Sequence, residues 1–125
     1  MQVLLVEDNA DSRDLLKRYL TSPDCDVATA GDLRSGIDLL GRQRFDVIIS
    51  DIALPDGTGY ALVSEARRRG IHALCIAVSA YPFPSDVREL GATGFQHYLN
   101  KPVKCEEIRC LITEVSAGVR EFIRR

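Results

Sequence analysis

No stretch of this sequence is long and apolar enough to cross a bilayer, and no charged-then-apolar leader opens it. The first apolar run, Val3-Leu4-Leu5-Val6, is far too short for a signal sequence, so a cytoplasmic protein without membrane insertion is expected. Charge of one sign is also missing. Sixteen basic and eighteen acidic residues leave a formal net charge of -2, which gives no case for direct nucleic-acid binding. Tryptophan is absent, and only His72 and His97 represent histidine. Both stand far from any second ligand cluster and read as loop or surface residues. The four cysteines, Cys25, Cys75, Cys105 and Cys110, include no close pair, which excludes a zinc knuckle or a dithiol redox site. They read as reduced thiols, some serving as small apolar residues. No Pro/Gly/Ser-rich linker, low-complexity tract or sequence repeat divides the 125 residues, so one compact domain is expected.

What the chain does have is alternation. Short apolar runs at Val3 to Val6, Val27 to Ala30, Val47 to Ile49, Ala73 to Val78 and Phe95 to Leu99 read as strands. Helical spacing lies between them, at Leu15, Leu16, Tyr19 and Leu20, then Leu33, Ile37 and Leu40, then Tyr60, Val63 and Ala66. A shorter fourth helix is expected around Val87 and Leu90, and a fifth at Ile108, Leu111, Ile112 and Val115. Five strand-helix units predict an α/β domain with a parallel sheet. Periodicity does not set the strand order. The flavodoxin-like, doubly wound (βα)5 arrangement, with strands in the order 2-1-3-4-5 and helices on both faces, places the winding reversal between the first and third strands. Polar residues should then gather just after those two strands.

They do. The first strand runs into Glu7-Asp8 and the third, ending Ile48-Ile49-Ser50, runs into Asp51. Three carboxylates meeting at one sheet edge repel, which raises their pKa values or demands a cation. Magnesium suits such a set, since it takes one or two carboxylates together with waters and a phosphate oxygen. The plainer reading is that each acid is a helix N-cap or turn residue. Ser79-Ala80 ends the fourth strand, and Asn100-Lys101-Pro102 follows the fifth. A hydroxyl and an ammonium thus join the acids at a site suited to phosphoryl transfer.

Four segments, Val6-Glu7-Asp8-Asn9, Asp51-Ile52-Ala53-Leu54-Pro55-Asp56-Gly57-Thr58-Gly59, Ser79-Ala80 and Tyr98-Leu99-Asn100-Lys101-Pro102, carry a resemblance in their order and spacing. From Val3 to about Val115 the sequence resembles the receiver domain of two-component response regulators. The resemblance implies that Asp51 is a phosphoacceptor, taking a phosphoryl group from the phosphohistidine of a histidine kinase or histidine phosphotransfer protein. It implies that Asp8 binds Mg2+ directly, Glu7 through water, and Ala53 through its backbone carbonyl. Glu7 departs from the aspartate that many members carry, which bears on magnesium affinity. Lys101 would pair with the phosphoryl group and precede a cis peptide at Pro102. Ser79 would swing toward the phosphoryl group and Tyr98 would turn inward as it does, reporting the change at a protein-binding surface. Gly59 would permit a tight loop, and Ala53 and Tyr81 would influence hydrolysis of the acyl phosphate. The resemblance also allows a phosphorylation-dependent homodimer.

On this reading the chain is not an enzyme on outside substrates; its chemistry is its own Mg2+-dependent phosphorylation and autodephosphorylation. An aspartate-nucleophile phosphatase of the haloacid dehalogenase type needs a second aspartate two positions on, where Ala53 stands. A receiver-like interaction module that works without phosphorylation is the other alternative. A nucleotide or flavin carrier lacks its glycine-rich or hydroxyl-rich loop. Residues 1–118 are expected to form the receiver, with 119–125 extending the last helix or starting a linker. No output domain is read in the sequence, so a stand-alone receiver and a piece of a larger regulator or hybrid kinase both stay open. The downstream partner is not named by it.

Overall fold

The computed structural model describes residues 1–80 and 93–124, with side chains as far as residue 114. In chain order the elements are β1 (Gln2–Val6), α1 (Ala10–Leu20), β2 (Asp26–Ala30), α2 (Leu33–Leu40) and β3 (Val47–Asp51). A short antiparallel ribbon follows, β4 (Ala53–Leu54) with β5 (Gly57–Thr58), then α3 (Gly59–Arg68), β6 (Leu74–Ser79), β7 (His97–Asn100) and α4 (Cys105–Arg124). The fourth helix expected at Val87 and Leu90, Tyr81, and the side chain of Val115 lie outside the described residues. No described helix is long and apolar enough to cross a membrane.

Five strands pair in parallel in the order β2-β1-β3-β6-β7, which is 2-1-3-4-5 when only the strands of this sheet are counted. The expected flavodoxin-like topology is therefore the one observed. Alternation along each strand divides the core in two. Leu4, Val6, Ile48, Cys75 and Ala77 face one way, onto Leu40 of α2 and Leu62, Val63 and Ala66 of α3. Val3, Leu5, Val47, Ile49, Ile76 and Val78 face the other, onto Leu20 of α1 and Ile108 and Ile112 of α4. Residues covered on both faces explain why β1 and β3 are near-continuous apolar runs. Removing such a side chain, as in Ile48→Ala, costs about 2–5 kcal/mol.

Two expectations change. Leu15 is not a core residue: at 63% exposure it stands out of the stripe made by Leu16, Tyr19 and Leu20, because α1 turns only a narrow face to the sheet. Phe95 is buried but precedes the last strand, which runs His97–Asn100. The preceding Gly94 has φ +85°, a left-handed turn that drops Phe95 into the core before the chain straightens.

Arg67, near the end of α3, was not singled out by its sequence context. Its guanidinium donates to the carbonyls of Ile71 (2.8 Å), Ala73 (2.9 Å) and Gly94 (3.2 Å), tying helix, β6 and the approach to β7 together at the edge opposite the acids.

Candidate functional site

The register places the site residues. Val6 lies beside both Ala30 and Ser50, Asp51 beside Val78, and Ser79 beside Asn100. Glu7, Asp51, Ser79 and Lys101 therefore leave the same carboxyl-terminal edge, and the first two flank the point where the winding reverses.

Helix caps could have claimed these acids, but other residues do that work. Asn9 caps α1 by accepting from Ser12 N–H at 3.0 Å, Asp32 caps α2 by accepting from Ser35 N–H at 2.8 Å, and Thr58 caps α3 through Ala61 N–H at 3.2 Å. Asp8 and Asp51 cap no helix. One carboxylate oxygen from each of Glu7, Asp8 and Asp51 lies within 4.8 Å of the others. Glu7 and Asp51 are buried, while Asp8 is exposed.

Lys101 reaches into this cluster. Its Nζ stands 2.9 Å from Asp51 Oδ1 and 3.2 Å from Glu7 Oε2, and it donates to Glu7 Oε1 at 3.4 Å. The Lys101–Pro102 peptide is cis, as expected. Glu7 Oε1 also accepts from Asn9 N–H at 3.0 Å. Asp51 differs. Apart from the ion pair to Lys101, neither of its buried oxygens has an aligned hydrogen-bond donor.

Burial pushes the Asp51 carboxyl up to about 7 from 3.8, Glu7 pushes it further in the same direction, and Lys101 pulls it back. Burial alone would lower the Lys101 pKa, but Asp51 and Glu7 outweigh it and raise it. Three carboxylates against one ammonium leave an excess of negative charge at the sheet edge. An all-oxygen donor set with unsatisfied buried lone pairs fits a hard divalent cation. Among the described residues this is the one group of three or more His, Cys, Asp or Glu side chains placed to hold a metal ion.

The family model of the response regulator receiver domain matches residues 3–113. The chain belongs to that family. A protein of Leptolyngbya boryana described only as an uncharacterized 14.6 kDa protein is 32% identical over 116 residues, covering 91% of this chain and 88% of that one. The sensor histidine kinase RcsC of Escherichia coli is 28% identical over 121 residues, which cover 97% of this chain but 13% of the kinase. Among solved structures, the chemotaxis protein CheY4 of Vibrio cholerae superposes with a TM-score of 0.80 at 28% identity, over 91% of this chain and 97% of that one. Receiver domains are phosphoacceptor signalling domains of two-component systems and bind Mg2+ at an acidic pocket, and this receiver has such an acidic cluster.

The remaining expected residues are placed as follows. Ser79 is buried at the end of β6, next to the acidic cluster in register. Tyr98 lies half-buried in β7, its ring edge-on to Phe95 at 5.8 Å and its hydroxyl hydrogen-bonded with Thr93 Oγ1 at 2.5 Å. That is an inward position. Ala53, two residues past Asp51, is exposed at the start of β4. Gly59 closes the loop by its backbone, donating to the Ile52 carbonyl at 2.8 Å. Its φ is not positive; instead a Cβ there would stand 2.4 Å from the Asp51 carbonyl oxygen, so the glycine is required by close approach. His72 is exposed, and His97 is half-buried within β7 rather than in a loop.

Two residues that frame the site were not singled out. Arg13 Nη1 donates to the Glu7 carbonyl at 2.9 Å, and Asp56 accepts two backbone hydrogen bonds from α2. The Asp56 contacts join segments more than twenty residues apart, and the Arg13 contact ends on a backbone carbonyl, so the local pattern carries no signal for either.

Proposed function

We propose that this receiver is a phosphorylation-activated switch in which Asp51 accepts a phosphoryl group from the phosphohistidine of a histidine kinase or a histidine phosphotransfer protein. An Asp51 oxygen attacks phosphorus as the N–P bond breaks. The electron pair of that bond stays with the imidazole, which leaves neutral when its other nitrogen carries a proton. An aspartyl phosphate results. Glu7, Asp8, Asp51 and the backbone carbonyl of Ala53 are the residues that would hold Mg2+, which when bound offsets the charge of the phosphoryl oxygens. Lys101 supplies a fixed ammonium beside Asp51. Ser79 hydrogen-bonds the new phosphoryl group, and Tyr98 carries the change to a protein-binding surface.

The observation that carries this reading is the Asp51 carboxylate itself, which is buried, ion-paired to Lys101 on one oxygen, and without an aligned donor on either. A carboxylate held only for structure would have its lone pairs satisfied. The test is intact-mass measurement after incubation with Mg2+ and a small phosphodonor such as acetyl phosphate. One phosphoryl adduct on the wild type, absent from Asp51→Asn and from a sample with chelator, is the expected result. Undiminished labelling of the variant would defeat the assignment.

A further inference from the structure

Asp56 occupies the tip of the β4–β5 ribbon and does not face the acidic cluster. Its carboxylate accepts the backbone N–H of Leu33 at 2.7 Å on Oδ1 and that of Arg34 at 3.0 Å on Oδ2, in the first turn of α2. Asp32 accepts the next amide, Ser35 N–H. Helix starts leave four N–H groups without partners, and here two of them are satisfied by a residue more than twenty positions away. Beside it, a Cβ on Gly57 would stand 2.5 Å from Leu33 Cδ2, so the ribbon and the helix start are in direct contact.

The foot of the same ribbon is the reactive carboxylate. Gly59 N–H donates to the Ile52 carbonyl at 2.8 Å, which closes residues 52–59 into a loop rooted at Asp51. The segment leading into α2 is in turn fixed to the other half of the acidic cluster. Glu7 N–H donates to the Ala30 carbonyl at 3.0 Å, and Arg13 Nη1, bonded to the Glu7 carbonyl, lies 2.9 Å from where a Gly31 Cβ would stand. A chain of contacts therefore runs from Glu7 to Ala30, along the short segment that leads into α2, to Asp56 and back to Asp51.

We propose that Asp56 is a positioning residue for the acidic centre. It tethers the 52–59 loop to α2 and so fixes the spacing of Asp51 and Ala53 relative to Glu7 and Asp8, which sets the affinity for a divalent cation. The inference rests on the metal-dependent reading of the site given above. Without the tether the loop must be ordered as the cation binds, and that lost freedom subtracts from affinity.

The test compares wild type, Asp56→Ala, Asp56→Asn and Asp32→Ala. Mg2+ affinity is read by titration calorimetry, and amide hydrogen exchange at Ile52 and Gly59 is read in the metal-free protein. Asp56→Ala is expected to weaken Mg2+ binding by about tenfold and to speed exchange at Gly59. Asp56→Asn keeps one carbonyl acceptor but turns an NH2 donor toward the second backbone N–H, so it should fall between wild type and Asp56→Ala in both. Asp32→Ala removes the neighbouring cap of α2 without touching the loop and should leave Mg2+ affinity as in wild type. Unchanged affinity in Asp56→Ala, or an equal loss in Asp32→Ala, overturns the tether. Wild type that fails to bind Mg2+ overturns the reading of the site beneath it, an outcome distinct from a binding-competent wild type with an indifferent Asp56→Ala.

Discussion

Replacing Asp51 with asparagine is expected to stabilise the metal-free protein, even though it removes the group on which the proposed function depends. The native carboxyl titrates at about 7, raised from 3.8 chiefly by burial and then by Glu7, against the pull of Lys101. The unfolded chain releases this proton near the lower value and the native protein near the upper one. Between the two the native state binds the extra proton, so stability falls as pH rises from about 4 to about 7. Above that range both states are ionised and the full penalty applies. At about 1.4 kcal/mol per pH unit of separation, the penalty is about 4 kcal/mol. Asparagine keeps the shape without the charge and leaves Lys101 beside Glu7 at 3.2 Å. A gain of about 3 kcal/mol at slightly alkaline pH follows, or about 10 °C in Tm for a chain of this length. Urea and thermal unfolding followed by circular dichroism, in chelator and across the acid-to-alkaline range, measure it. The gain should fade to nearly zero at about pH 4. Saturating Mg2+ should close the gap, because a ligand at a hundred times its Kd adds about 2.7 kcal/mol to the wild type and little to the variant. An asparagine variant no more stable than wild type at alkaline pH, or a gain that does not change with pH, would refute the reasoning.

Gly59→Ala should cost about 1–3 kcal/mol or more and abolish labelling, since the new Cβ would meet the Asp51 carbonyl, which cannot move without dragging the end of β3; a chemical denaturation curve and a labelling assay check both. Arg67→Lys should destabilise by about 1–3 kcal/mol, because a single ammonium cannot serve the carbonyls of Ile71, Ala73 and Gly94 together, and urea midpoints of wild type and variant decide it. Thiol labelling of the folded protein should reach the exposed Cys110 first and leave Cys75 untouched, since burial pushes the Cys75 thiol up to about 11; peptide mapping before and after denaturation reads the order.

The five strands of the parallel sheet and the described helices were legible because each apolar run needed cover on one or both faces, and hydrophobic period records that need directly, whereas the short β4–β5 ribbon carries no such run. The acid pair, Asp51 and Lys101 were legible for a related reason: strand ends in a doubly wound sheet converge, so residues placed just after them meet wherever the topology holds. Leu15 was misread because an apolar residue at helical spacing does not say how wide a face the sheet accepts. The burial of Phe95 was legible but not the strand start, since a left-handed glycine reset the chain between them. Arg13, Asp56 and Arg67 were not legible at all in these roles. Each bonds to backbone groups of another element, and a backbone amide or carbonyl leaves no mark in the residue sequence.

The requirements on Asp51 pull in opposite directions, and the surrounding contacts show how they are reconciled. The proposed role needs an ionised Asp51, yet burial beside Glu7 raises its pKa to about 7, so that a share of it is protonated at neutral pH. More burial would exclude water but deepen that protonation; less would leave Asp51 solvated and ordinary. Lys101 offsets part of the penalty from one side, and the exposed Asp8 keeps the other side open to a cation. Like charges held this close also push their loops apart. The β1–α1 loop is restrained by Arg13, and the loop after β3 by Asp56 on α2 and by the close approach of Gly59. The repulsion is thus confined to the carboxylates, where a bound cation relieves it, and the sheet edge that carries them stays fixed.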